Sequence, residues 1–278
     1  MTDRIPLAGV IGAPISHSLS PRLHGYWLRK HGIAGYYTPL HIEPENLAEV
    51  LHVLPKMGFV GINVTIPHKE AVLELANHIT DRAALAGAAN TLIFHPDGRI
   101  HADNTDGYGF LANLSQNAPG WDAKDGAAAV FGAGGAARAV VTALLEAGAP
   151  EVRIANRTRQ RAEALRHEFG PRIIVFDWAR ASDMLPEATT VVNTTSLGMA
   201  GKTDFRPSVL DRLSPGAVVT DVVYTPLETE FLNAAAARGG RIVDGLGMLL
   251  HQGAPGFERW FGVRPEVDDA LRRAVLGQ

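Results

Sequence analysis

Short apolar runs alternate with stretches of helical spacing along most of the chain, the pattern of an α/β protein. Strands are expected at Leu7–Ile11, Tyr36–Ile42 and Gly61–Thr65. Between them, Ser20-Pro21 places a capping hydroxyl just before a proline at a first helical position. Pro44–Lys56 has the spacing of an amphipathic helix, and Pro67 opens another. Ala89–Phe94 and Arg99–Ala102 flank His95-Pro96-Asp97-Gly98, a hairpin turn by composition. After a polar stretch at Asn117–Lys124 the order is strand Ala127–Phe131, Gly-rich turn, helix Ala136–Ala147, strand Glu151–Ala155, helix Arg159–Phe169 and strand Arg172–Phe176. Val191–Asn193, Ala217–Val223 and Arg241–Val243 read as further buried strands, and Met248–Phe261 and Pro265–Leu276 as helices. Two α/β lobes joined near residues 104–125 fit this order, the second a Rossmann lobe with a parallel sheet. Periodicity leaves open which lobe takes the last helices.

Composition narrows the function classes. With 278 residues, each lobe can bury its own core. A net charge of −3 favours neither nucleic acid nor an anionic membrane, so any anion site rests on local basic groups. The chain has no cysteine, which excludes disulfides, thiolate metal sites and thiol nucleophiles. The opening MTDRIPLAGVIG is too short in apolar residues for a signal peptide, and no run approaches the ~20 residues of a membrane span. A cytoplasmic protein is the expectation. The eleven histidines show no H-x-x-x-H spacing, so no metal site is expected.

The segment Ala127–Arg138 runs a buried strand into G-x-G-x-x-A and then a helix. Gly132 permits the tight turn, Gly134 leaves room for a pyrophosphate, and Ala137 lets helix and strand pack closely. Gly- and Ala-rich turns also serve packing alone; the flanking strands and helix favour the nucleotide reading. An acidic residue at the end of the second strand would accept from the ribose of NAD. Here that position begins Asn156-Arg157-Thr158-Arg159-Gln160-Arg161. Guanidinium groups suit a 2′-phosphate, so NADP is preferred over NAD. The plain alternative is a solvated basic face, which a helix N-terminus mildly disfavours.

Before this unit, polar residues sit at strand ends facing the expected crevice: Ser16–Pro21, Asn63–Lys69, Asn90 and Asp103–Gly107. Each singly has a structural reading as a cap, an Asx turn or a surface lysine. The chain resembles the shikimate dehydrogenase family through GAPISHSLSP (12–21), GINVTIPHK (61–69), GAANT (87–91), NTDG (104–107), GAGGAAR (132–138), NRTRQR (156–161), NTTSLGM (193–199), DVVYTPLET (221–229) and GLGMLLHQG (245–253).

That resemblance implies NADPH-dependent reduction of 3-dehydroshikimate to shikimate, in aromatic amino-acid biosynthesis. It implies Ser18 and Ser20 as hydroxyl donors to the substrate carboxylate, with Tyr224 near that end. Asn63, Thr65, Asn90, Asp106 and Gln252 would bind ring hydroxyls, and Lys69 and Asp106 would be the catalytic pair. At the cofactor it implies Asp81, Gly132, Ala133, Gly134, Gly135, Ala136, Asn156, Arg157, Thr158, Arg161, Thr195, Val222, Gly245 and Met248. Asp81 reads equally as part of a helix cap with Thr80. The resemblance also returns residues 246–278 to the first lobe, giving a substrate domain of residues 1–104 with 246–278 and a Rossmann domain of residues 105–245. Hydride transfer builds negative charge on the carbonyl oxygen, which a lysine can stabilise and protonate. A helix opening at Pro67 would set its positive end against the Lys69 charge, and Asp106 would oppose that.

Alternatives are a quinate/shikimate dehydrogenase using NAD, an enzyme for an amino-substituted shikimate, and a non-catalytic Rossmann nucleotide sensor. The arginine run argues against NAD, and the Ser18/Ser20 pair against quinate. A sensor would lack the Lys/Asp pair. The expected partner is a small molecule, and monomer and homodimer stay open.

Overall fold

Two units emerge from this alternation, one formed by the chain up to Gly109 together with Leu249–Gln278, the other by Phe110–Met248. The computed structural model describes residues 5–203 and 205–278, so the first four residues of the segment weighed as a leader peptide lie outside it. Among the described residues, no helix is long and apolar enough to cross a membrane.

The first unit opens with β1 (Leu7–Gly12), α1 (Ser20–Lys30), β2 (Tyr36–His41), α2 (Leu47–Val53) and β3 (Gly61–Val64). It continues with α3 (Val72–Leu75), β4 (His78–Ile79), α4 (Asp81–Ala86), β5 (Thr91–Phe94), β6 (Ile100–Asp103) and the start of α5 (Asp106–Asn117). Its six-stranded sheet has the order β2-β1-β3-β5-β6-β4. β1 pairs parallel with β2 and β3, whereas β5 pairs antiparallel with β3 and β6. The β5–β6 hairpin turns at His95–Gly98, where Gly98 takes φ +86, a conformation costly for a side chain bearing Cβ. The register Asn63↔Thr91 and Thr91↔Asp103 carries three polar residues across adjacent strand ends. Ile11, Leu51, Ile62, Val64 and Leu92 fill the core beneath them.

The second unit holds the rest of α5, then β7 (Ala127–Phe131), α6 (Gly135–Glu146), β8 (Val152–Asn156), α7 (Arg159–Phe169) and β9 (Ile173–Asp177). β10 (Ala188–Asn193), β11 (Val218–Asp221), α8 (Glu230–Ala236) and β12 (Arg241–Val243) complete it. All six strands run parallel in the order β12-β11-β10-β7-β8-β9, the doubly wound arrangement with its switch point between β7 and β10. The apolar run Ala127–Phe131 is buried throughout because helices cover both faces of such a sheet. α9 (Leu246–Phe261) and α10 (Asp269–Leu276) end the chain. The boundaries between units fall inside α5 and α9, a few residues beyond the expected Asn104 and Gly245, because each helix continues through the connection.

Local departures from the sequence reading have physical causes. Pro67 does not open a helix: residues 66–71 form turns and α3 begins only at Val72. The turn is tied to the sheet by Ala89 N donating to the Lys69 carbonyl (2.8 Å) and by the His68 ring on the Ile42 carbonyl (2.7 Å). Lys69 therefore does not lie in the first turn of a helix, where the sequence pattern places it. The stretch Pro44–Lys56 breaks into 3-10 turns on either side of α2, the second containing Pro55. Ser20 is the first residue of α1 and not its cap; the Ser18 hydroxyl accepts from Ser20 N instead (3.3 Å).

Candidate active site

In the first unit, strand ends and the start of α5 converge on one polar network. Lys69 Nζ donates to Asp106 Oδ2 at 2.6 Å, and Asn90 Nδ2 donates to Asp106 Oδ1 at 2.7 Å. Asn90 Nδ2 also reaches Gln252 Oε1 at 3.1 Å, bringing a residue of α9 to one 162 positions earlier. Asn90 Oδ1 accepts from Thr105 N and Thr91 Oγ1, both at 2.9 Å, which fixes the side-chain amide orientation. Asn63 Nδ2 donates to the Asn90 carbonyl (3.0 Å) and Thr91 Oγ1 (3.2 Å). Asn63, Asn90, Asp106 and Gln252 are all buried, and buried polar groups of this kind are costly unless paired.

The loop holding Asp106 is itself anchored. Asn104 Oδ1 accepts from Asp106 N (3.0 Å), and Asn104 Nδ2 donates to the Ala88 carbonyl (2.8 Å). Asp103 accepts from Arg82, Thr80 Oγ1 and Asn104 N. Burial alone would raise the Asp103 carboxyl, but the Arg82 and Thr80 hydrogen bonds outweigh it and hold it below the usual carboxylate range.

Lys69 keeps two ammonium donors beyond the one given to Asp106. The Thr65 hydroxyl makes no hydrogen bond among the described residues, and Gly12 lets it approach closely, since a Cβ there would press on the Thr65 methyl. Ser18, Ser20, Asn63, Thr65, Lys69, Asn90, Asp106 and Gln252 thus belong to one unit, and five of them, all but Ser18, Ser20 and Thr65, join in a single hydrogen-bonded chain. Tyr224 belongs to the other unit, in the segment after β11, where burial raises its phenol. Asp81 opens α4 in the first unit; the cap there is Thr80, whose hydroxyl accepts from Ala83 N.

In the second unit, the glycine turn between β7 and α6 has the form a dinucleotide phosphate requires. Gly132 takes φ +112 facing Thr194 and Thr195, and its N–H donates to the Ala155 carbonyl (2.8 Å). Gly134 is the N-cap of α6, with no side chain capping the helix, and the space beside Gly134 and Gly135 is open. The first-turn amides of a 12-residue helix are therefore presented unobstructed, with a positive dipole end behind them. Ala137 is fully buried where α6 meets the sheet. These residues fit a dinucleotide. Ala133 and Ala136 lie in the same turn.

At the end of β8, Asn156 Nδ2 donates to the Thr158 carbonyl (2.8 Å). The arginine run is not uniform: Arg159 is engaged by Asp177 and Glu163, while Arg157 and Arg161 are exposed with no ion pair among the described residues. Thr195 donates to Asn193 Oδ1 through both its amide and hydroxyl. Gly245 packs against the backbone of Asp221, Val222 and Val223 so closely that a Cβ would overlap it. Met248 packs on the same unit's core.

Two organising residues escaped the sequence reading. Buried Asp221 accepts from Asn193 Nδ2 (3.0 Å), Thr229 Oγ1 (2.8 Å) and Val223 N (2.9 Å), bracing the segment with Val222 and Tyr224. Desolvation raises its carboxyl to about 6 against those bonds. Tyr37 donates to Asn63 Oδ1 at 2.7 Å, and nothing in the local pattern of β2 marks it. Among the described residues, no group of three or more His, Asp or Glu side chains is placed to hold a metal ion.

A chain with one Rossmann unit carrying an open glycine turn and a second unit carrying a Lys–Asp pair in a polar network defines a class of two-unit dinucleotide proteins. Family models agree with each part of the chain. Residues 10–92 match the shikimate dehydrogenase substrate binding domain, 113–200 the shikimate/quinate 5-dehydrogenase model, and 245–276 the shikimate 5′-dehydrogenase C-terminal domain. The chain is 68% identical to a shikimate dehydrogenase (NADP(+)) of Paracoccus denitrificans, covering 98% of this chain and 96% of that one. It is similar to the Thermus thermophilus shikimate 5-dehydrogenase solved with NADP(H) and shikimate (36% identity, 98% and 100% coverage, TM-score 0.84). It is also similar to the quinate dehydrogenase of Corynebacterium glutamicum solved with NAD (31% identity, 99% of each chain, TM-score 0.88). The chain belongs to the shikimate dehydrogenase family.

Proposed function

We propose that this protein catalyses the NADP-linked, reversible reduction of 3-dehydroshikimate to shikimate. The observation that carries the reading is the 2.6 Å contact between Lys69 Nζ and Asp106 Oδ2, continued through Asn90 to Gln252. NADPH supplies the hydride when bound. Gly132–Ala136 would receive its pyrophosphate, and Asn156, Arg157, Thr158 and Arg161 its 2′-phosphate, since Arg159 is already paired. Thr195, Val222, Gly245 and Met248 complete this assignment within the second unit; Asp81 is retained from the family likeness alone.

In the first unit, Asp106 fixes the Lys69 ammonium and leaves two N–H donors for a substrate carbonyl. As charge develops on that oxygen, Lys69 stabilises it and passes it a proton. The carbon gains a hydride, the oxygen gains the lysine proton, and neutral Lys69 recovers a proton from solvent. In the oxidative direction, neutral Lys69 accepts the hydroxyl proton. Asn90 holds Asp106, Gln252 braces Asn90, and both contribute amide groups to the ring hydroxyls, with Asn63 and Thr65. Ser18, Ser20 and Tyr224 donate to the carboxylate. The first unit, which includes Leu249–Gln278, serves as the substrate domain and the second as the nucleotide domain, in a cytoplasmic enzyme that is a monomer or homodimer.

The test is the initial rate of NADP reduction with shikimate, against quinate and against NAD. Turnover with shikimate and NADP at least tenfold above the other pairings supports the reading. Preference for quinate with NAD, or no turnover, overturns it.

A further inference from the structure

We infer that Tyr37 is a positioning residue for the substrate site, holding the Asn63 side-chain amide in place; this rests on the function proposed above. The Tyr37 hydroxyl donates to Asn63 Oδ1 at 2.7 Å.

The Asn63 amide shows what this link does. With Oδ1 accepting from Tyr37, Nδ2 must point to the Asn90 carbonyl and Thr91 Oγ1. Either orientation of an amide has similar shape, so only the hydrogen bonds choose between them. Without the Tyr37 donor, Oδ1 loses its partner and the amide is held by its two Nδ2 bonds alone.

Tyr37 is held in place by an unusual support. Its ring stacks flat on His24, with centroids 4.0 Å apart and planes 4° from parallel. His24 is fully buried, also packs against Trp27, Phe257 and Trp260, and neither ring nitrogen has a hydrogen-bond partner among the described residues. A histidine without polar partners contributes a flat, neutral surface here. Desolvation lowers it to about 3, with Asn63 close enough to oppose that slightly.

The experiment compares wild type with Tyr37→Phe, which keeps the stacked ring and removes only the hydroxyl. Expected is about a tenfold rise in KM for shikimate, with kcat changed less than threefold, KM for NADP unchanged and the same melting temperature within about 2 °C. In the cycle with Asn63→Ala, Tyr37→Phe should add less than twofold to KM, because its partner is already gone. If Tyr37→Phe is not recovered folded, Tyr37→His keeps a flat ring on His24 and should show the same KM rise. An unchanged shikimate KM, or effects that multiply fully in the double variant, overturns the inference. So does a loss shared equally by kcat, both KM values and stability, which marks a merely structural tyrosine. A wild type inactive with shikimate and NADP instead overturns the proposed function, and this inference with it.

Discussion

Lys69 and Asp106 stand 37 positions apart in sequence and 2.6 Å apart in space, one on a turn after β3 and the other at the first residue of α5. The pair is partly shielded, with the lysine side chain 24% and the aspartate 10% exposed. Asp106 therefore orients the ammonium while leaving it reachable. Substituting Lys69→Ala should lower kcat by roughly 10²–10⁴-fold, the span expected for loss of a positioned acid–base group. KM for shikimate should change less than about threefold; steady-state kinetics at saturating NADP decides it, and retained turnover removes Lys69 from the mechanism.

The arginines after β8 should divide by their partners. Arg157→Ala is expected to raise KM for NADP about tenfold or more while leaving KM for NAD within about twofold, from loss of a charge-assisted contact to phosphate. Arg159→Ala should leave both cofactor constants unchanged, because Arg159 serves Glu163 and Asp177. Equal effects of the two variants on NADP would undo this division.

Two buried groups act on acid stability with opposite sign. His24 is held neutral in the folded state, with its pKa lowered to about 3, so below pH 6.5 the unfolded chain binds a proton the native one lacks. Its contribution is lost as pH falls, by about 2 kcal/mol at pH 5. Asp221 is raised from 3.8 to about 6, so the native state takes up its proton first and gains relative stability as pH falls through 6. Urea unfolding between pH 7 and 4.5 should show a shallower acid loss in His24→Phe and a steeper one in Asp221→Asn. The same pH profile in all three proteins contradicts these assignments.

Gly61 has a steric reason to be glycine. A Cβ at the start of β3 would overlap the Trp260 indole nitrogen and the Leu92 carbonyl, which are hydrogen-bonded to each other at 3.1 Å. Gly61→Ala should cost about 3 kcal/mol or more, because backbone and a packed indole must both move. Thermal unfolding measures this, and a change below about 1 kcal/mol would show that α9 yields easily.

Some features need no tertiary information. The run Ala127–Phe131 into Gly132-x-Gly134-x-x-Ala137 announces its strand, turn and helix because local sterics and burial decide all three. The hairpin at His95–Gly98 follows from turn chemistry in the same way. Other features were decided only by the fold. Pro67 reads as a helix start, yet backbone bonds from Ala89 and the His68 ring hold that segment as a turn. Three arginines at alternate positions are equivalent in the sequence, and Asp177 and Glu163 single out Arg159. Tyr37 lies in an ordinary strand pattern and gains meaning only where Asn63 and His24 meet it. The chain by itself determined the strand–turn–helix order from Ala127 to Phe176, the glycine turn and the residue types at the strand ends, since these depend on neighbours a few positions away. The pairing of Lys69 with Asp106 and Asn90 with Gln252 depends on sheet register and on α9 reaching the first unit, which no local pattern encodes.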